Sequence, residues 1–133
     1  MVLAGSAESH NTGKDAFQEM DALPLITPLA KLAARPPYPE YIPTFINNAY
    51  RTAMYGRPGP TFVDLPANLI LGTFDIDERR LSPLPEPPRS MAPDNKIRDI
   101  VTALKGAKAP LVVVGKGAAY ARAERIINTL IDR

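Results

Sequence analysis

The chain has 133 residues, 45% hydrophobic and 23% charged, which are the proportions of a folded globular protein and not of a disordered one. Its formal charge is +2, and no Lys/Arg cluster is dense enough for a nucleic-acid surface. With no cysteine and one histidine, His10, it has no disulfide, no thiolate metal site and no histidine-built zinc site.

No apolar run approaches the ~18 residues of a membrane span, and Met1–Gly5 lacks the flank and length of a signal peptide. The sequence therefore reads as soluble and intracellular, with no nucleic-acid or membrane partner. Val2-Leu3-Ala4, ending in Gly5-Ser6, resembles the end of a buried strand. Residues 6–14 are rich in Ser, Glu, Asn, Thr and Gly and read as loop. Ser9 and His10 are adjacent but lack a Gly-x-Ser-x-Gly elbow, so a serine hydrolase is not favoured. Asp15 is placed to cap a short helix from Ala16 to about Ala22, and Leu25-Ile26-Thr27 reads as a short strand before Pro28. Pro36-Pro37-Tyr38-Pro39 breaks the chain again.

From Pro39 the spacing predicts an amphipathic helix with Ile42, Phe45, Ile46, Ala49, Tyr50 and Ala53 on one face, closed by a left-handed Gly56. Thr61–Leu65 is a predicted strand stopped by Pro66, and its Asp64 is expected to satisfy local backbone groups. Arg79–Arg80 sits among Asp75, Asp77 and Glu78 and reads as a solvated loop. Five of the 15 prolines, Pro83, Pro85, Pro87, Pro88 and Pro93, fall in one stretch that can be neither helix interior nor central strand. That stretch is the predicted boundary.

Beyond it, Asp94 is placed to cap a helix carrying Ile97, Ile100, Val101 and Leu104 and ending at Gly106. Leu111–Val114 reads as a strand buried on both faces. Gly115-Lys116-Gly117 turns the chain into a helix from Ala118 to Arg133, with Ala123, Ile126, Ile127, Leu130 and Ile131 inward. Strands and helices alternate on both sides of the boundary, which argues for α/β units with parallel sheets. Each side is short of strands for a complete doubly wound sheet.

Three segments resemble thiamine-diphosphate-dependent enzymes of the 2-hydroxyacyl-CoA lyase and oxalyl-CoA decarboxylase group. They are Asp15-Ala16-Phe17-Gln18-Glu19-Met20-Asp21, the stretch from Tyr55-Gly56-Arg57-Pro58-Gly59-Pro60 through Val63-Asp64-Leu65-Pro66-Ala67, and Lys108-Ala109-Pro110 through Gly115-Lys116-Gly117-Ala118-Ala119-Tyr120-Ala121. The last segment resembles the CoA-dependent branch, and Phe17-Gln18 resembles its lyase side, where oxalyl-CoA decarboxylases tend to carry Tyr-Glu. The resemblance implies the end of a parallel-sheet pyrimidine-binding domain over 1–71, a Pro-rich linker over 72–93, and the start of a Rossmann-like central domain over 94–133.

The same resemblance implies thiamine diphosphate and Mg2+ in the parent enzyme, an acyl-CoA substrate, a homo-oligomer, and a peroxisomal or cytoplasmic setting. Phe17 and Gln18 would lie near the thiazolium ring, with Gln18 donating its amide to an oxygen that gains charge. Arg57 with Gly115, Lys116, Gly117 and Ala118 would face a site for an ADP moiety. The family's activating glutamate and its Gly-Asp-Gly metal motif have no counterpart in these residues. The chain is therefore expected to be a fragment without independent catalysis. A stand-alone remnant that binds nucleotide or the full-length enzyme, and an acetolactate synthase fragment, are the alternatives.

Overall fold

A computed structural model describes residues 1–75, 81 and 83–132. Arg79–Arg80 and part of the predicted linker lie outside them. The chain divides into two compact units, Met1–Pro88 and Arg89–Arg133.

The first unit is built on a parallel sheet of three strands, β1 (Val2–Ser6), β2 (Leu32–Ala34) and β3 (Thr61–Pro66). Their order is β1-β3-β2, so the last strand in the sequence lies in the middle. The register pairs Val2 with Phe62 through Ser6 with Pro66 on one side, and Leu32 with Thr61 through Ala34 with Val63 on the other. A central parallel strand is covered on both edges and both faces. Thr61, Val63 and Asp64 accordingly expose 1% or less.

Helix α1 (Leu23–Ile26) precedes β2, α2 (Ile42–Met54) links β2 to β3, and α3 (Ala67–Ile70) follows β3. A 3-10 turn at Pro39–Tyr41 leads into α2, and Pro43 falls in the first turn of that helix, where no N–H is needed. The predicted stripe packs α2 against the sheet. Ala49 is fully buried and Ala53 nearly so, and these small side chains allow a close approach. Buried Thr61 donates its hydroxyl to the Ala49 carbonyl at 3.1 Å. Gly56, at φ +65°, takes the left-handed conformation as expected.

The second unit contains α4 (Asp94–Gly106), α5 (Lys116–Tyr120) and α6 (Glu124–Ile131). Along α4 the apolar stripe is open to solvent at Ile97, Ile100 and Val101, and Leu104 is half-buried. Among the described residues, no helix is long and apolar enough to cross a membrane.

The α/β, parallel-sheet class is as the sequence implied, while several elements differ in detail. Residues 16–22 form a turn and not a helix, because Asp15 and Gln18 both adopt positive φ. Leu25-Ile26 belongs to α1, which Pro24 favours at its first turn, and the strand lies later, at Leu32–Ala34. β1 is an edge strand with Val2 and Leu3 about half exposed, since among the described residues only one of its edges is paired. The N-cap of α4 is Pro93, and Asp94 instead places its charge in the first turn. Leu111–Val114 forms no strand: among the described residues nothing pairs with it, and Leu111 and Val113 are more than 80% exposed. The final helix is broken at Arg122, whose φ of +50° separates α5 from α6.

Candidate functional site

Open parallel sheets present ligands at the carboxyl ends of their strands. Three pieces of this chain converge there: the loop after β1, Arg35 after β2, and the end of β3 with α3. The loop is tied down at both ends. Ser9 donates its backbone N–H and its hydroxyl to Asn68 Oδ1 of α3, at 2.9 and 3.2 Å. The Ala7 N–H donates to the Gln18 carbonyl at 3.3 Å. His10 faces Glu8 at 3.1 Å, so Ser9 and His10 address different partners and form no nucleophile–base pair.

Phe17 and Gln18 sit at the tip of a tight turn. The Glu19 N–H closes it by donating to the Ala16 carbonyl at 3.0 Å. Gln18 has φ +61° at the third position of that turn while Phe17 has negative φ, the pattern of a type II turn, in which glycine is usual. A left-handed side-chain-bearing residue costs about 1–2 kcal/mol, so something else must hold it there. The tip leaves Phe17 87% exposed and Gln18 exposed.

Glu19 packs its carboxylate into the loop behind the tip. It accepts the N–H groups of Gly13, of Lys14 at 3.2 Å and of Ala16 at 3.0 Å. The Gly13 N–H first, then those of Ala16 and Lys14, hold its carboxyl below the usual glutamate range.

Beneath this loop lies an ion pair. Asp64, 1% exposed, accepts a hydrogen bond on Oδ2 from Arg35 Nε at 2.7 Å, and an Nη of the same guanidinium lies 2.6 Å from that oxygen as an ion pair. The same Nη lies 3.4 Å from Asp21, three residues after Gln18. Asp64 thus answers to a side chain across the sheet and not to local backbone groups. The sequence did carry a signal: an acid inside Phe62-Val63-Asp64-Leu65 must be buried and must find a partner. Nothing marked Arg35 as that partner, or Glu19 as the clasp of the loop.

The remaining candidates lie elsewhere. Arg57 is in the loop before β3, at the amino edge of the sheet, about 17 Å from the Gln18 edge by the length of β3. Lys31 braces that loop, donating to the carbonyls of Tyr55 at 2.9 Å and Arg57 at 3.0 Å. Gly115, Lys116, Gly117 and Ala118 belong to the second unit. There Gly115 is extended and opens α5 without a side-chain cap. The space beside Gly115 and Gly117 is open, so among the described residues nothing requires glycine at either position. A hollow of about 360 Å3 lies along α6 and is lined by Arg125, Ile126, Thr129 and Leu130, none of them a candidate. Among the described residues, no three His, Cys, Asp or Glu side chains gather where a metal ion could sit.

The fold and site define an α/β protein with a structured, residue-presenting loop at the carboxyl edge of a parallel sheet. No family model matches the chain. Human 2-hydroxyacyl-CoA lyase 1 is 36% identical over 138 residues, which is 100% of this chain and 23% of that protein. Oxalyl-CoA decarboxylase from Escherichia coli K12 is 31% identical over 119 residues, covering 87% of this chain and 21% of that protein. In three dimensions the chain resembles the thiamine-diphosphate-dependent 4-hydroxybenzoylformate decarboxylase of Rhodococcus jostii RHA1. The TM-score is 0.68 at 27% identity, over 91% of this chain and 23% of that one. The chain belongs to the thiamine-diphosphate-dependent enzymes, and it spans about a quarter of the length of the relatives it matches.

Proposed function

We propose that this chain forms part of a thiamine-diphosphate-dependent 2-hydroxyacyl-CoA lyase of the fatty acid alpha-oxidation type, which cleaves a carbon–carbon bond to give formyl-CoA and an aldehyde one carbon shorter. The observation that carries the reading is the turn at the carboxyl edge, which offers Phe17 and Gln18 together. The identity to the human lyase over the whole chain supports the same reading.

The described residues do not by themselves fit the metal and diphosphate end of thiamine diphosphate, because no acidic or imidazole cluster is present to hold Mg2+. What they supply is a contact surface. The Gln18 amide is a neutral donor suited to an oxygen that gains charge, and Phe17 is an apolar wall that sheds water beside it. The acyl-CoA substrate, a homo-oligomeric assembly and a peroxisomal or cytoplasmic setting belong to the proposal for the whole enzyme. So does a site for an ADP moiety at Gly115–Ala118, where the backbone beside Gly115 and Gly117 is open.

The test is to isolate the natural product that carries this chain, weigh it by mass spectrometry, and incubate it with a 2-hydroxyacyl-CoA. A product several times heavier than 14.5 kDa that releases formyl-CoA and the shortened aldehyde is expected. In that protein Gln18→Ala lowers kcat by about 100-fold, the loss of one well-placed donor. A product near 14.5 kDa with no cleavage overturns the reading in favour of a nucleotide-binding remnant.

A further inference from the structure

We infer that Glu19 is the positioning residue of this site: its carboxylate fills a ring of backbone N–H groups and so holds Gln18 left-handed, with Phe17 and Gln18 at the tip of the turn. The role of the tip in catalysis rests on the lyase reading, whereas the conformational lock does not.

The loop from Gly13 to Gln18 contains three residues with positive φ: Gly13 at +83°, Asp15 at +54° and Gln18 at +61°. Two of them carry side chains and would return to ordinary conformations if free. Successive backbone N–H groups around such left-handed residues form a concave, anion-attracting nest. Here the anion is supplied from within. Glu19 accepts from Gly13, Lys14 and Ala16, and its own N–H donates back to the Ala16 carbonyl, so residues 16 and 19 are joined twice.

That double tie closes the turn around Phe17 and Gln18. With the turn closed, the Gln18 carbonyl points back into the protein, where it accepts the N–H groups of Ala7 at 3.3 Å and Met20 at 3.1 Å. The Ala7 bond joins the turn to the residue after β1 and fixes where the tip stands relative to the sheet edge. Both tip side chains are exposed, so no packing of their own holds them. Among the described residues, Glu19 is the side chain that ties positions 13–16 to the turn.

The test uses the full chain and two substitutions, Glu19→Ala and Glu19→Gln. Alanine vacates the nest, and glutamine sets an NH2 group among donors. Amide hydrogen exchange is followed at Gly13, Lys14 and Ala16, which face the carboxylate. It is also followed at Ala7, which does not touch Glu19 and reports only on the Gln18 carbonyl. Val63 in the central strand controls for global unfolding.

The expected result is exchange at least ~10-fold faster at all four loop amides with Val63 unchanged, as for local opening. Added formate should refill the vacated nest in Glu19→Ala and restore slow exchange at Ala7, which a general loss of stability would not show. Unaltered exchange at Ala7 in both variants, or loss without formate rescue, overturns the lock.

A second arm uses the natural product that cleaves 2-hydroxyacyl-CoA. There Glu19→Ala should lower kcat by ~10- to 100-fold, the cost of a misplaced group, and leave KM for the acyl-CoA within about twofold. An unchanged kcat with responsive amides removes the catalytic part of the inference. An unmutated protein that cleaves nothing refutes the lyase reading, and the exchange data still decide the lock.

Discussion

Asp64 loses nearly all its water on folding, and Arg35 is what makes that tolerable. A charge-assisted hydrogen bond from Nε and a close Nη both meet Asp64 Oδ2, and that same Nη also reaches toward Asp21. Removing the arginine leaves a carboxylate buried without a counter-charge. Breaking a fully buried pair costs ~3–5 kcal/mol. Arg35 is 37% exposed, so solvent screening brings the expectation for Arg35→Ala to about 2 kcal/mol. Arg35→Lys should recover only part of this, since an ammonium restores the charge but not the guanidinium's simultaneous reach to Asp64 and Asp21. Urea denaturation followed by circular dichroism measures it, and an alanine midpoint equal to that of the parent would show that the pair stabilises nothing. The pair was only half legible in the sequence. An acid in an apolar strand announces that a partner exists, but Arg35 is 29 positions away and only the order of the strands brings the two together.

Among the elements, α2 and β3 were the most legible, because each carries its own signal. The helix shows seven-residue spacing and a glycine terminator, and the strand shows an apolar run stopped by proline. Their interface depends on small side chains, so Ala49→Leu should force the helix from the sheet and cost about 2 kcal/mol. A thermal melt tests this, and a melting temperature at or above that of the parent would mean the interface has room to spare. The poorly legible elements were those whose propensity and tertiary setting disagree. β2 is Leu-Ala-Ala, without a β-branched residue, and becomes a strand because β3 offers it an edge. Leu111–Val114 has strong strand propensity but no partner among the described residues. Ala118 to Arg133 reads as one helix by propensity, yet Arg122 turns left-handed and divides it.

At the scale of the molecule, each unit leaves apolar surface in contact with water: the free edge of β1 in the first, and Leu111, Val113, Ile126 and Ile131 in the second. Unpaired strand edges and exposed apolar runs favour association between copies. The isolated chain should therefore self-associate at ~10 µM and above, and sedimentation velocity should show weight growing with concentration. A single monomeric boundary with a sharp cooperative melt would refute this. The strand order also governs how the chain is made. The middle strand is synthesised last, and the partner of Val2 is Phe62. A nascent chain on the ribosome thus carries β1 and β2 without the strand that lies between them until Pro66 has emerged. At ~5–20 residues per second, that wait is roughly 3–12 s. For that interval β1 and β2 lack their common neighbour, and synonymous codons that slow translation between residues 7 and 60 would lengthen it without changing a single amino acid.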